Sequence, residues 1–126
     1  MNKFSKYLTA LVIFLLITSI SFAANKVVLL EQFTGTWCGY CPEGSYKMDQ
    51  IVAANSGKVI GVRFHLSSAS SADSMEIPEV NTIAGTLGLS GVPTGLVDRN
   101  SYSGRFFLDR GSWASAVQQS LQNPAI

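Results

Sequence analysis

Both cysteines of this chain fall in one short run, Trp37-Cys38-Gly39-Tyr40-Cys41-Pro42, placed where an apolar strand would give way to a helix. Two intervening residues in the first turn of a helix let the sulfurs approach each other, and the helix N-terminus stabilises negative charge on the first of them. A reversible dithiol/disulfide is geometrically cheap at that spacing, so redox chemistry is the leading expectation. The same spacing could supply half of a tetrahedral zinc site, but a structural site takes about four ligands. The rest of the chain offers a single histidine, His65, and no further cysteine, which disfavours zinc held within a single subunit, and thiol-disulfide exchange would need neither a metal nor an organic cofactor. The alternative is an inert disulfide kept by a binding domain.

The elements that must position this pair read as a small α/β unit. Residues 27–33 are mostly apolar and rich in β-branched side chains, as a buried strand requires. From Pro42 the pattern changes to helical spacing, with Tyr46, Met48, Ile51, Val52 and Ala53 on or near one face, and it ends at Asn55-Ser56-Gly57. A second strand over 58–66 completes a strand, helix, strand order, which describes a parallel crossover. The small, polar stretch Ser67–Ser74 suits a surface loop, either a cover over the site or surface filler. A helix is expected over 78–89, a short strand over 94–99 and a weakly marked fourth strand over 105–108. The last helix is expected over 112–121, with Ser112 as its cap and Pro124 stopping it. Phe106, Phe107 and Trp113 are expected to pack it onto the sheet, and His65 to face solvent near a strand end. The fold class that follows is α/β, a small central sheet with helices on both faces.

Met1 to Ala23 reads as a secretory signal: Lys3 and Lys6 give a positive start, residues 8–17 an apolar core, and Ser21-Phe22-Ala23 small residues at the cleavage positions. Cleavage after Ala23 leaves 103 residues, enough for one domain over 24–126. Export to the periplasm or beyond follows, with no stable membrane insertion once the signal is removed. A retained anchor is disfavoured because the apolar run is short. The remaining chain has seven Lys and Arg against eight Asp and Glu, which gives no electrostatic reason to propose nucleic acid or an anionic membrane as partner. Disulfides persist in such a compartment, yet two cysteines this close together close too small a loop to staple a fold. Their value is reactivity.

The motif and its surroundings resemble the thioredoxin superfamily over roughly residues 26–122. The apolar strand to Phe33, the Trp37-Cys38-Gly39-Tyr40-Cys41 sequence and the later Gly91-Val92-Pro93-Thr94 match its pattern in order. The run Leu30 to Pro42, together with Pro93-Thr94-Gly95-Leu96-Val97-Asp98-Arg99, is similar to the thioredoxin-like part of Omp28-related proteins of the Bacteroidetes type. Those proteins are usually longer, so this chain, ending at Ile126, reads as a truncated or minimal relative.

The resemblance implies a thioredoxin-like fold and a thiol-disulfide oxidoreductase in which Cys38 is the nucleophile and Cys41, buried, resolves the mixed disulfide. It implies that Pro93 is cis and packs against the cysteines, and that Val92 offers backbone hydrogen bonds to an extended substrate. Gly39 and Tyr40 would tune the redox balance, and Trp37 would pack beside the motif with an edge toward substrate. Partners would be protein thiols or disulfides and a protein that resets the pair. One departure is chemical. Thioredoxins proper carry a buried aspartate six positions before the first cysteine, where this chain has Gln32, which cannot titrate. Neighbouring Glu31 should point to the opposite face by strand alternation. Gln32 therefore also supports the alternative function, a redox-silent binding or structural module of the cell envelope.

Overall fold

A computed structural model describes residues 2–17 and 24–123 of the chain. Helix α1 spans Lys3–Ile17, strand β1 Val28–Thr34, helix α2 Cys41–Ala54 and strand β2 Val59–His65. Helix α3 covers Pro78–Leu87, strand β3 Thr94–Val97 and helix α4 Trp113–Gln122. The expected cleavage point at Ala23 and the helix stop at Pro124 lie outside the described residues. Among the described residues, no helix is long and apolar enough to cross a membrane.

The sheet has the order β2-β1-β3. β1 runs through the middle, parallel to β2 with Val28 opposite Val59, and antiparallel to β3 with Leu30 opposite Val97. Its central place explains its composition, because both faces of β1 are covered and an almost continuous apolar run is needed. Strand alternation sends Val28 and Leu30 to one side, where they meet Met48 and Ile51 of α2 and Trp113, Ala116 and Val117 of α4. It sends Phe33 to the other side, against Val80 and Ala84 of α3. Helices therefore cover both faces, as the sequence pattern indicates. Within α2, Met48 and Ile51 are buried, whereas Tyr46 and Ala53, expected on or near the same face, are exposed. α3 stops because Gly88 adopts φ 75°, and the Leu89 N–H returns to the Ala84 carbonyl at 2.9 Å.

Three expectations need correction. Residues 105–108 form no strand; Arg105 and Leu108 make isolated bridges only, to Tyr102 and to Gly95, the latter through two 2.9 Å hydrogen bonds. A tight turn through Ser103 and Gly104, both at positive φ, precedes them, and consecutive Phe106 and Phe107 both enter the cluster beneath α3 instead of alternating. These two phenylalanines thus pack away from α4, with Phe107 and Phe33 ring centres 6.3 Å apart; Trp113 alone of the three joins the last helix to the sheet. Ser112 is not a side-chain cap: its backbone is helical and its hydroxyl donates to Asp109 Oδ2 at 2.9 Å.

Candidate functional site

β1 delivers the chain to the cysteines through a narrow turn. A side chain at Gly35 could not fit, since its Cβ would lie 2.6 Å from the Trp37 indole nitrogen and 2.9 Å from the Leu66 carbonyl oxygen. Beyond it, the Cys38 N–H donates to the Gly35 carbonyl at 3.1 Å and the Cys41 N–H to the Cys38 carbonyl at 3.2 Å. α2 begins at Cys41, with Pro42 in its first turn, where a missing N–H costs nothing. Cys38 therefore sits in the turn before the helix, and only Cys41 is in its first turn, a correction to the expectation for the pair. The two are joined as a disulfide with Cα atoms 5.4 Å apart. Cys38 is 8% exposed and Cys41 2%, so both are buried and the first cysteine is the more exposed residue. Its bond to the first residue of α2 sets it at the positive end of that helix, where a thiolate is stabilised.

Beneath the pair, the backbone packs closely. The Val92–Pro93 peptide bond is cis, and a Cβ placed on Gly44, one turn into α2, would meet the Pro93 Cβ at 3.5 Å and the Trp113 ring at 3.3 Å. Pro93 thus lies against the first turn that carries Cys41, and Val92 beside it is half-buried in the α3 cluster. Gln32 is fully buried on the same side. Its amide nitrogen makes two long contacts, 3.5 Å to the Cys41 carbonyl and 3.3 Å to Ser45 Oγ. Glu31 does point the other way, where Arg99 holds its carboxylate through Nε and Nη2 at 2.7–3.2 Å. That guanidinium is held charged by the hydrogen bonds and charge of Glu31, and the acid is unavailable to Cys41.

Around the rim, Gly39 is open, with nothing near its would-be Cβ, and Tyr40 is 71% exposed. Arg110 lies over the Tyr40 ring at 5.7 Å and donates to Glu43 Oε2 at 2.7 Å. Arg110 and Lys47 hold the Glu43 carboxyl below its usual range, and their charges offset an anion that would otherwise oppose a thiolate at this helix end.

On the opposite side stands Asp73, from the serine-rich segment, with its side chain fully buried. Its Oδ2 accepts the Thr36 N–H at 2.7 Å and lies 2.9 Å from His65 Nδ1, while Oδ1 accepts the Met75 N–H at 2.9 Å. Burial alone would raise this carboxyl; the hydrogen bonds from His65, Met75 and Thr36 outweigh it and hold it at about 2. An ionised carboxylate only accepts, so Nδ1 of His65 carries the proton it shares. His65 is half-buried and engaged, not solvent-facing as expected. Trp37, 40% exposed, is tethered by its indole N–H to the Leu66 carbonyl at 2.7 Å.

The fold thus gathers Trp37, Cys38, Gly39, Tyr40, Cys41, Val92 and Pro93 at one end of β1 and α2. Sequence reasoning missed Asp73 and Arg110. One signal existed for Asp73: it is the only charged residue of Ser67–Ser74. Arg110 has none, because its link to Glu43 spans 67 residues.

No protein-family model matches the sequence, and no curated protein matches it. Solved structures do match. HBP35 of Porphyromonas gingivalis is similar at a TM-score of 0.58 and 24% identity over 81% of this chain and 34% of that one. The thioredoxin of Malassezia sympodialis aligns at 0.53 and 20% identity over 79% and 78% of the two chains. Chloroplastic thioredoxin z aligns at 0.51 and 20% identity over 75% and 78%. With a mixed sheet centred on β1, helices on both faces and a linked cysteine pair ahead of α2, the chain has a thioredoxin-like fold, and that pair fits thiol-disulfide exchange.

Proposed function

We propose that this chain is an exported thiol-disulfide oxidoreductase acting on protein cysteines, akin to the thioredoxin-like part of Omp28-related proteins. The observation that carries the reading is the disulfide between Cys38 and Cys41 at the N-terminus of α2. In the reduced form, the Cys38 thiolate attacks one sulfur of a substrate disulfide, forming a mixed disulfide and expelling one substrate thiolate. Cys41, as thiolate, then attacks Cys38 Sγ, closing the 38–41 disulfide and releasing the second substrate thiolate. Two electrons pass to the substrate, and solvent protons complete its two thiols. A protein dithiol must reduce the pair again. Run in reverse, the same steps oxidise a substrate. Residues 1–23 supply the export signal in this reading, which puts the working domain in the periplasm or outside the cell.

A second reading, a redox-silent envelope module, draws support from Gln32, since the buried group beside Cys41 cannot accept a proton. Turbidimetric insulin reduction by dithiothreitol separates the two. Wild type is expected to accelerate precipitation and Cys38→Ser to lose the acceleration; equal rates would leave the module reading standing.

A further inference from the structure

Thiol-disulfide exchange needs the two sulfurs to face each other in both redox states, yet the covalent tie between them exists in only one. Ahead of Cys38, the turn Gly35-Thr36-Trp37-Cys38 is closed by the Cys38 N–H on the Gly35 carbonyl at 3.1 Å. It is laced to the segment leaving β2. The Leu66 N–H donates to the Thr34 carbonyl at 3.0 Å, the Trp37 indole N–H to the Leu66 carbonyl at 2.7 Å, and the Thr36 N–H to Asp73 Oδ2 at 2.7 Å. The last of these differs in kind, because its acceptor is a carboxylate whose side chain is fully buried and which a loop supplies. A buried charge is costly unless donors surround it, and here they are Thr36, His65 and Met75. The loop itself is braced: the Asp73 N–H donates to Ser67 Oγ at 2.8 Å, and Ser67 donates to Glu76. The serine-rich segment thereby presents a fixed anion to the turn that carries Cys38.

While the disulfide is closed, the turn is held from both ends. Once it opens, the downstream tie is the 3.2 Å bond from the Cys41 N–H to the Cys38 carbonyl, and the placement of Cys38 falls to the upstream ties. We propose that Asp73 is a positioning residue for Cys38: by gripping the Thr36 N–H it keeps the dithiol form shaped like the disulfide form, raising the effective concentration of one sulfur at the other. The inference rests on the oxidoreductase reading, and it makes the pair a stronger reductant than it would be on an unheld turn. Without the grip, the reduced turn relaxes, whereas the oxidised turn is still closed by its S–S bond and relaxes less.

The test is the equilibrium with glutathione, in which the protein disulfide and two glutathione thiols give the protein dithiol and one oxidised glutathione. Asp73→Ala is expected to shift it toward the dithiol by about fivefold, part of the worth of a hydrogen bond to a charged acceptor. Denaturant unfolding of both redox forms should show the oxidised form losing more stability than the reduced form, by the same factor in the folding constant, as linkage requires. An unchanged glutathione equilibrium with equal losses in the two forms would make Asp73 a structural residue only and overturn the assignment. If Asp73→Ala does not fold, amide hydrogen exchange of wild type decides. Thr36 is expected to be protected in the disulfide form and to exchange about fivefold faster in the dithiol form, with core amides such as Leu30 changing less. A Thr36 amide that is unprotected in the disulfide form, or equally protected in both, would overturn the proposal. Those failures leave wild-type equilibration with glutathione intact; if wild type does not equilibrate with glutathione at all, exchange itself fails, and this inference falls with it.

Discussion

Replacing Gln32 with aspartate tests whether a missing buried acid limits the second half of the exchange. The amide is fully buried; its nitrogen donates to the Cys41 carbonyl and Ser45 Oγ, at 3.5 and 3.3 Å, and its oxygen accepts from the Ser45 hydroxyl at 3.4 Å. An aspartate there loses the donor to the Cys41 carbonyl and keeps one stabilising donor, the Ser45 hydroxyl. Desolvation with a single such bond should raise its pKa by about two to three units. At about 1.36 kcal/mol per unit, the folded state then loses roughly 3–4 kcal/mol of stability once the acid is ionised in both states. The sign follows from proton counts: between the unfolded value near 3.9 and the raised folded value, the native state binds more protons, so stability falls as pH rises through that window. Denaturant unfolding of Gln32→Asp from pH 3.5 to 8 should show this fall relative to wild type. In the same variant, the poised carboxyl can take the Cys41 proton, and stopped-flow decay of a preformed Cys38 mixed disulfide should accelerate at least tenfold near neutral pH. A variant with flat relative stability and unchanged decay would refute both the burial argument and the proposal that proton removal limits resolution.

Two further outcomes follow from the geometry. Because the Asp73 carboxyl is depressed to about 2, its contribution to stability is complete above the unfolded value near 4 and is lost as pH falls through about 2; acid unfolding of Asp73→Asn should lack that component, and identical acid profiles for variant and wild type would contradict the pairing with His65. Gly95→Ala would drive a Cβ to 2.6 Å from the Trp113 indole nitrogen and 2.9 Å from the Glu31 carbonyl oxygen, so thermal unfolding should show a loss of about 3 kcal/mol or more, and a neutral result would mean the Trp113 wedge is softer than its packing indicates.

What the sequence made legible was set by short-range pattern. The cysteine spacing, the apolar run of β1 and the proline ahead of β3 carry their meaning within a few residues, and the opposite facing of Glu31 and Gln32 follows from a period of two alone. Phe106 and Phe107 were misplaced because two adjacent aromatics on an irregular segment have no period to reveal which face receives them. Asp73 was legible only as a lone acid among serines, a weak signal in loop composition, and only the fold brings His65 and the Thr36 N–H to it.

The distribution of buried acids bears on how the pair can work. Two carboxylates lie buried near β1 and its exit, and neither can act as the base that position 32 lacks. Glu31 is committed on the far face to Arg99, and Asp73, held at about 2 by three donors, is too weakly basic to draw a proton from a thiol. In the proposed reaction, a Cys38 thiolate would be stabilised by the helix N-terminus, with the Glu43 charge countered by Arg110 and Lys47. In that proposed reaction, the proton of Cys41 would leave through water or through the departing substrate thiolate. On this account, attack by Cys38 is the well-supported half of the cycle and resolution by Cys41 the slow one, so mixed disulfides should be long-lived even in the native sequence.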